Sequence, residues 1–507
     1  MNKRKYKVKT YSDFTDEISQ DEIYEGLLGY GMFSEKLPPL FSSEAYYTYC
    51  LTQTPVFQDK PRPHVFYESM RNTNVPRQLG IPDPRAYQIL CKCISDNWGA
   101  IQAYIRLTTK GQKHIISRIH LRKIAGTKAL FKMNYSNWKY DGTPEPDLLI
   151  GSRYIVHADI STCFPSIYTH SIPWALVGKD YAKTHRGKTE WFNQIDHCTQ
   201  NCKYGETHGV LIGPHVSNLL GEIILTNVDN ALSADWSYIR NIDDYTCFVN
   251  TREDAQLFLV ALSAELRKYD LTLNHKKTEI AELPMAMTEQ WIRQVGNPLA
   301  FCRNGIMDYI GVRAYLDSAI EVMQKNKENS AILNYAVKAL PVDKLSSNAI
   351  EYCVKTIFHL SLLYPYLLQI IDQAVFERFY VQKDQIKAFS ELVYDQELKN
   401  KNYDAVCHAL FFALKYGFLI DSVKAQHAID SESCVFRLLA FLYFKKNRIT
   451  VERMLLRGLA QTLKTDEYDF GQNWLFVYES LPQSDLPGEW KDLKANNVSF
   501  LKKEFQT

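Results

Sequence analysis

The 507-residue chain contains no apolar run approaching the roughly 18 residues needed to span a bilayer. The nearest, around His359 to Ile371, is shorter and carries polar residues. Behind the charged start, Met1 to Lys9, there is no apolar segment, so it does not read as a secretory leader. Glycine (22) and proline (19) are too few for a collagen-like or low-complexity chain. A surplus of one charge is missing too: 59 basic residues face 57 acidic ones. That balance argues against a protein that coats nucleic acid over its whole surface, although a local basic channel remains compatible with it. Nor do the eleven cysteines form a framework. Only Cys91/Cys93 and Cys198/Cys202 lie close in sequence, and neither pair has zinc-ligand spacing followed by a second pair. Reduced thiols in a cytoplasmic protein, serving as small buried residues, are the expectation. What is present, 46% hydrophobic and 23% charged residues, is the profile of a globular chain long enough for two or three domains.

Residues 1 to 60 are mixed and turn-rich, with Lys36-Leu-Pro-Pro-Leu-Phe-Ser-Ser as the clearest loop. From 61 to 320, short β-rich runs alternate with helical patterns. Arg153 to Ala158, Tyr245 to Asn250 and Leu271 to Asn274 read as strands. Beyond 321 apolar residues recur at three and four, as at Asn348–Phe358, Asp404–Leu414, Cys434–Phe444 and Glu452–Leu459. Their length and apolarity suit stacked helix pairs without a strict period.

The chemistry concentrates in two places. An apolar run ends in Asp159, and Phe164 follows five residues later. About 84 residues on, Asp243 and Asp244 sit between two β-prone runs. Each alone has a plain reading, a turn or cap aspartate and a hairpin tip. Together they have the layout of a polymerase palm. Such a site holds two Mg²⁺ ions, with Mn²⁺ as a substitute, on hard oxygen ligands. Asp159 and Asp243 are the expected bridging ligands, Asp244 a supporting one, and the Ile160 carbonyl a further oxygen. Phe164 would wall the sugar pocket and exclude a ribose 2′-hydroxyl. Gly213 and Pro214 end a glycine turn that opens a helix and lets backbone approach a nucleotide. Lys277 puts a cation near a leaving phosphate. Upstream, Arg71 and Arg77 read as a basic loop over a triphosphate, since a guanidinium binds phosphate oxygens in pairs.

At these residues the sequence resembles reverse transcriptases. Asp159–Phe164, Gly209–Ser217, Ile242–Asp244 and Leu273–Thr278 resemble the four palm motifs in order. Tyr168–Lys179, Tyr204–Gly209 and the tail from Trp490 are similar to AbiK-type abortive-infection reverse transcriptases of bacterial phage defence. The resemblance implies an α+β fold of fingers and palm (61–320), preceded by an N-terminal extension packing on the fingers (1–60). A HEAT-like α-helical repeat (321–507) would follow in place of a thumb. It implies synthesis of DNA from dNTPs without a copied template, primed on a protein tyrosine so that the product stays attached. It also implies a homo-oligomer in the bacterial cytoplasm that aborts phage infection. None of the 32 tyrosines stands out as the primer. Two departures bear on activity: Asn241 replaces the usual aromatic two residues before the paired aspartates, and the His208–Pro214 turn lacks the glutamine of templated relatives. Two alternatives stay open: copying of a partner RNA, and a scaffold with an inactive palm. A phage-encoded trigger is a further partner the resemblance leaves open.

Overall fold

The computed structural model describes residues 8–71, 76–132, 138–286, 289–327 and 329–506. Its centre is a four-stranded antiparallel sheet in the order β4-β5-β3-β6, built from β3 (Tyr154–Asp159), β4 (Tyr238–Asn241), β5 (Asp244–Val249) and β6 (Glu279–Glu282). Side chains alternate across a strand, and the register therefore sorts them. Ala158 and Val156 of β3 lie beside Tyr245 and Cys247 of β5, and all four are buried. The long helices His215–Leu232 and Arg252–Arg267 pack behind the sheet. On the other face β3 presents Ile155, His157 and Asp159 beside Phe248, Thr246 and Asp244 of β5. There Ile155, Ile239 and Phe248 form a small separate cluster, and the two aspartates close the ladder opposite each other.

The run Leu271–Asn274 is not a strand. Only Leu273 makes a bridge, to Ile160, and the Asn274 N–H donates to the Asp159 carbonyl at 2.7 Å. Likewise Arg77 does not lie in a loop. It opens β2 (Arg77–Ile81), which pairs with β1 (Val65–Ser69) in a separate antiparallel hairpin. β1 alternates buried Val65, Tyr67 and Ser69 with exposed Phe66 and Glu68, as a half-buried strand should. The helix Pro84–Asp96 follows, started by Pro84 at its first position and by Asp83, whose carboxylate accepts from the Arg85 N–H.

Among the described residues no strand follows Glu282. Helices such as Ser347–Leu363, Lys383–Lys399, Tyr403–Tyr416 and Cys434–Lys446 pack in succession. Position 321 falls inside one helix, Tyr309–Lys325, because strand pattern ends earlier than helical periodicity becomes obvious. One hydrophobic core runs from Tyr11 to Phe505 without a break. The N-terminal segment packs partly on the Pro84–Asp96 and Trp98–Thr108 helices, where Trp98 Nε1–H donates to the Ile18 carbonyl at 2.7 Å. It also reaches the His215–Leu232 helix, where the Tyr11 hydroxyl donates to Glu222 at 3.0 Å.

Beneath the sheet lies a buried ionic cluster. Arg240 of β4 is 0% exposed. Its Nη1 donates to Glu222 Oε1 at 2.7 Å, and its Nη2 donates to Asp229 Oδ2 at 2.6 Å. Removing one partner of such a cluster strands a buried charge. Arg240→Met should therefore cost about 3–5 kcal/mol in urea unfolding. The triple change Arg240→Met, Glu222→Gln, Asp229→Asn should cost less than the single one, because no charge is left uncompensated.

Candidate active site

The three aspartates meet at the head of the sheet. Asp159 ends β3 and Asp244 begins β5 directly opposite. Asp243 lies in the two-residue turn, Ile242-Asp243, that joins β4 to β5. Ile242 has φ +57°, a left-handed conformation costly for a β-branched residue. Two bonds hold it: Arg240 Nη1 donates to the Ile242 carbonyl at 2.8 Å, and the Ile160 N–H donates to the Asp243 carbonyl at 3.2 Å.

Lys277 Nζ sits 2.7 Å from Asp159 Oδ2, and Asn274 Nδ2 donates to the same oxygen at 3.1 Å. Lys277 is thus placed on the carboxylate itself. Its pKa is raised chiefly by that hydrogen bond. Asp243 is pushed up to about 6, first by burial, then by the charges of Asp244 and Asp159. Asp244 is also raised, by burial and then by Asp159.

Among the described residues no three His, Cys, Asp or Glu side chains are gathered closely enough to cage an ion on their own. The donor chemistry nevertheless fits a hard divalent cation. All three groups are carboxylates, and burial, then mutual repulsion, holds two of them toward their neutral forms, which a 2+ charge would reverse. Asp159 and Asp243 would hold it, with Asp244 beside them. The cation would polarise phosphate oxygens and lower the pKa of an attacking hydroxyl.

A cleft of about 1500 Å³ opens over this point. Asp159, Ile160, Phe164, Gly213, Asp243 and Lys277 line it, and Arg71 and Arg77 face them from the β1–β2 hairpin. Asp244 and Pro214 are not part of its wall. Asp244 is exposed at the start of β5, an inner strand, and Pro214 is spent on starting the His215–Leu232 helix. Gly213 has φ +127°, and a Cβ there would come within 3.3 Å of Ser34. Phe164 is backed by Gly221, where a Cβ would lie 3.5 Å from its ring. Arg77 is pushed down by burial and then by Arg71, against the pull of Asp243.

Several contributors were not singled out from sequence. The Phe33–Pro39 loop supplies Lys36, and the helical region supplies Lys338, Gln369, Arg378 and His408. Nothing in their local pattern signals a shared cleft. Arg240 did leave a trace: a charge inside an apolar strand must find partners.

A carboxyl whose pKa is higher in the fold than in the unfolded chain binds extra protons between the two values. Its contribution to stability is therefore present below the ordinary carboxylate range and lost as pH rises through about 6. Without divalent cation, the thermal midpoint should fall between pH 4 and 6, and Asp243→Asn should flatten that slope. Mg²⁺ should raise the midpoint at pH 7.5 but not at pH 5, and not in the mutant. An Mg²⁺ shift that persists in Asp243→Asn would place the ion elsewhere.

Comparison with known proteins adds a family. Residues 113–314 match the reverse transcriptase (RNA-dependent DNA polymerase) family, a stretch that includes all three aspartates. Among solved structures, apo telomerase from Candida tropicalis is 12% identical, with a TM-score of 0.33, covering 80% of this chain and 75% of that one. Telomerase from the same organism in complex with the TWJ fragment of telomeric RNA is 11% identical, with a TM-score of 0.33, covering 71% and 66%. No curated protein matches the chain. The chain carries a reverse transcriptase domain and is a nucleotidyltransferase of that kind.

Proposed function

We propose that the protein is a phage-defence DNA polymerase of reverse-transcriptase type that joins dNTPs by two-metal catalysis. The observation that carries this reading is the convergence of Asp159, Asp243 and Asp244 at the head of one sheet, where the first two share a cleft with Arg71 and Arg77. An acidic floor suits Mg²⁺, and a pair of mutually repelling arginines suits the triphosphate that the ion escorts. In this reading Asp159 and Asp243 would hold the ions, with the Ile160 carbonyl as a further oxygen. Lys277, which sits on Asp159, would be the cation available to a phosphate. Gly213 and Pro214 form the nucleotide-side turn. Phe164 meets the sugar.

The division of labour is part of the proposal. Residues up to 60 buttress the fingers and palm, which extend to the segment between Glu282 and Tyr309. The helices beyond form the HEAT-like repeat that stands in for a thumb. Defence, homo-oligomerisation and a phage trigger rest on the sequence resemblance.

Priming on a protein tyrosine meets one constraint. Among the described residues that line the cleft none is a tyrosine; the hydroxyls there belong to Ser34, Thr162 and Ser217. A priming tyrosine therefore enters from outside the wall or from a second copy. The same constraint favours a second reading, in which the cleft admits an RNA template with its own primer.

Purified protein, Mg²⁺ and single labelled dNTPs, with no added nucleic acid, separate these readings. Label that migrates with protein, survives nuclease pretreatment and is lost in Asp243→Asn establishes self-priming. Label that appears only after an RNA is supplied establishes templated copying. Asp243→Asn should lower either activity by about 10²-fold or more. Phe164→Ala should relax discrimination against rNTPs by about 10-fold or more. Unchanged sugar preference would remove Phe164 from the sugar pocket.

A further inference from the structure

Segments 168–179 and 204–209 meet in the fold: Tyr168 bridges His208, and the Thr169 N–H donates to the Thr207 carbonyl at 2.8 Å. The junction adjoins the cleft, whose wall holds Pro165, Lys203 and Val210. Beyond Tyr168 come the helices Ser171–Val177, Lys179–Thr184 and Trp191–Asn201, the first packed on the other two. Buried Asp196, on the last of them, accepts from His170 Nδ1 at 2.5 Å and from Gln200 Nε2 at 2.7 Å. That carboxylate fixes a half-exposed imidazole and leaves its Nε2 for solvent or a ligand. Tyr168 stands edge-on to His170 and Trp174, at 4.8 and 5.7 Å between ring centroids, and Lys179 Nζ lies 3.9 Å from the centre of the Trp174 ring. Tyr181 is exposed and stacks on His185 at 3.8 Å with the ring planes 12° apart. Residues 179–188 hold four cations, Lys179, Lys183, Arg186 and Lys188, against one carboxylate, Asp180. All four cations are exposed, and none is ion-paired among the described residues. Their backbone is held in place: Asn193 Nδ2 donates to the His185 carbonyl at 2.8 Å and to the Gly187 carbonyl at 3.0 Å, and Arg186 Nε donates to the Lys183 carbonyl at 2.8 Å.

We propose that this face, with Trp174 and Tyr181 as its rings and residues 179–188 as its cations, is a docking platform for a single-stranded nucleic acid outside the catalytic cleft. Two features select that partner. Unpaired, exposed cations gathered in one segment of a nearly neutral chain answer a phosphate backbone. Accessible rings beside them answer unpaired bases, because a base offers its flat face only when it is not stacked inside a duplex. An acidic peptide would use the cations and leave the rings idle. His170, held by Asp196, adds a directed imidazole between the rings and the cleft. The bridge from Tyr168 to His208 makes the platform continuous with the cleft wall, so one strand can lie on both. Docking needs neither metal nor turnover and therefore stands apart from the polymerase reading.

The test uses the full chain in EDTA, so that no synthesis occurs. Binding of labelled oligo(dT), oligo(rU) and a duplex of the same length is followed by fluorescence anisotropy across a salt series. Single strands should bind more tightly than duplex, and the DNA and RNA arms tell which strand the platform holds. Changing Lys183, Arg186 and Lys188 together to Gln should weaken single-strand binding about tenfold and lower the salt slope by about 2, roughly 0.7 for each lost phosphate contact. Tyr181→Ala should weaken it about fivefold or more. Asp243→Asn should still bind, which separates failure of docking from failure of polymerisation. Iodouracil strands cross-linked to the wild-type chain by light, and mapped by mass spectrometry, should mark Trp174 or Tyr181; this map requires no variant to fold. Cross-links confined to the cleft wall would overturn the proposal. So would an unchanged affinity and salt slope in the triple variant, or duplex bound as tightly as single strand. Polyglutamate that displaces the strand at equal charge would overturn it in favour of an acidic protein partner.

Discussion

The guanidinium of Arg240 is enclosed on all sides, and its charge is met by Glu222 and Asp229 on one helix. Seven residues separate those carboxylates, two helical turns, so both project from the same face. Removing three charges from water costs several kcal/mol per ion, and only a full set of hydrogen bonds offsets that. The set is full here. Glu222 also accepts from Tyr11 at 3.0 Å and from Ser117 at 2.8 Å, and Asp229 accepts from Tyr238 at 3.1 Å. One buried cluster therefore joins the N-terminal segment, the stretch around Ser117, the His215–Leu232 helix and the β4–β5 hairpin that carries Asp243. Moving any of them leaves a buried charge short of a partner.

The cleft is closed by contacts of another kind. Asp404 of the helical region accepts from the Tyr67 hydroxyl and, at 3.0 Å, from the Met70 N–H, while Gln369 donates to Ser69 at 3.0 Å. The helical region thus grips the β1–β2 hairpin that carries Arg77. At the far end the Lys502 N–H donates to the Leu40 carbonyl at 2.8 Å, and Leu501 bridges Phe41. This fastens the C-terminus to the loop bearing Lys36. Lys36 is pushed down by burial, then by Lys338 and Arg77. Three separate chain segments, a loop, a hairpin and a helix of the distant C-terminal region, therefore crowd their cations toward an acidic floor. A net charge of +2 conceals that local separation.

What could be read in advance follows from how local each cause is. β3 and β5 were legible because alternation and a terminal aspartate are properties of six consecutive residues. The amphipathic helices were legible for the same reason. The Leu271–Asn274 run has the composition of a strand, but a single bridge is all the neighbouring backbone offers it. Arg77 sat in a stretch dense with proline and asparagine, which hid a hairpin strand. Asp244 and Pro214 were chosen by proximity in sequence to Asp243 and Gly213. Asp244 shares the sheet face of Asp159 but stands just outside the cleft wall, and Pro214 is taken up by the helix start. Lys338 and Arg378 had no local signal, since only the packing of distant helices makes them neighbours of the site. The two close cysteine pairs lie far apart in sequence, and only the packing of the Pro84–Asp96 and Trp191–Asn201 helices brings them to one interface.

The turn that carries Asp243 combines these two kinds of cause. A left-handed isoleucine costs on the order of 1–3 kcal/mol and persists only where its surroundings over-determine it. Here the determinants are the Arg240 guanidinium on the Ile242 carbonyl and the Ile160 N–H on the Asp243 carbonyl. The first belongs to the buried ionic cluster, the second to the strand that ends in Asp159. Asp243 is thereby held relative to Asp159 through backbone and core, without relying on any contact from the cleft walls. The walls are free to differ in what they admit, while the spacing of the carboxylates stays as rigid as the core beneath them. That separation explains how one acidic centre can serve walls assembled from a loop, a hairpin and a set of helices with no sequence pattern in common.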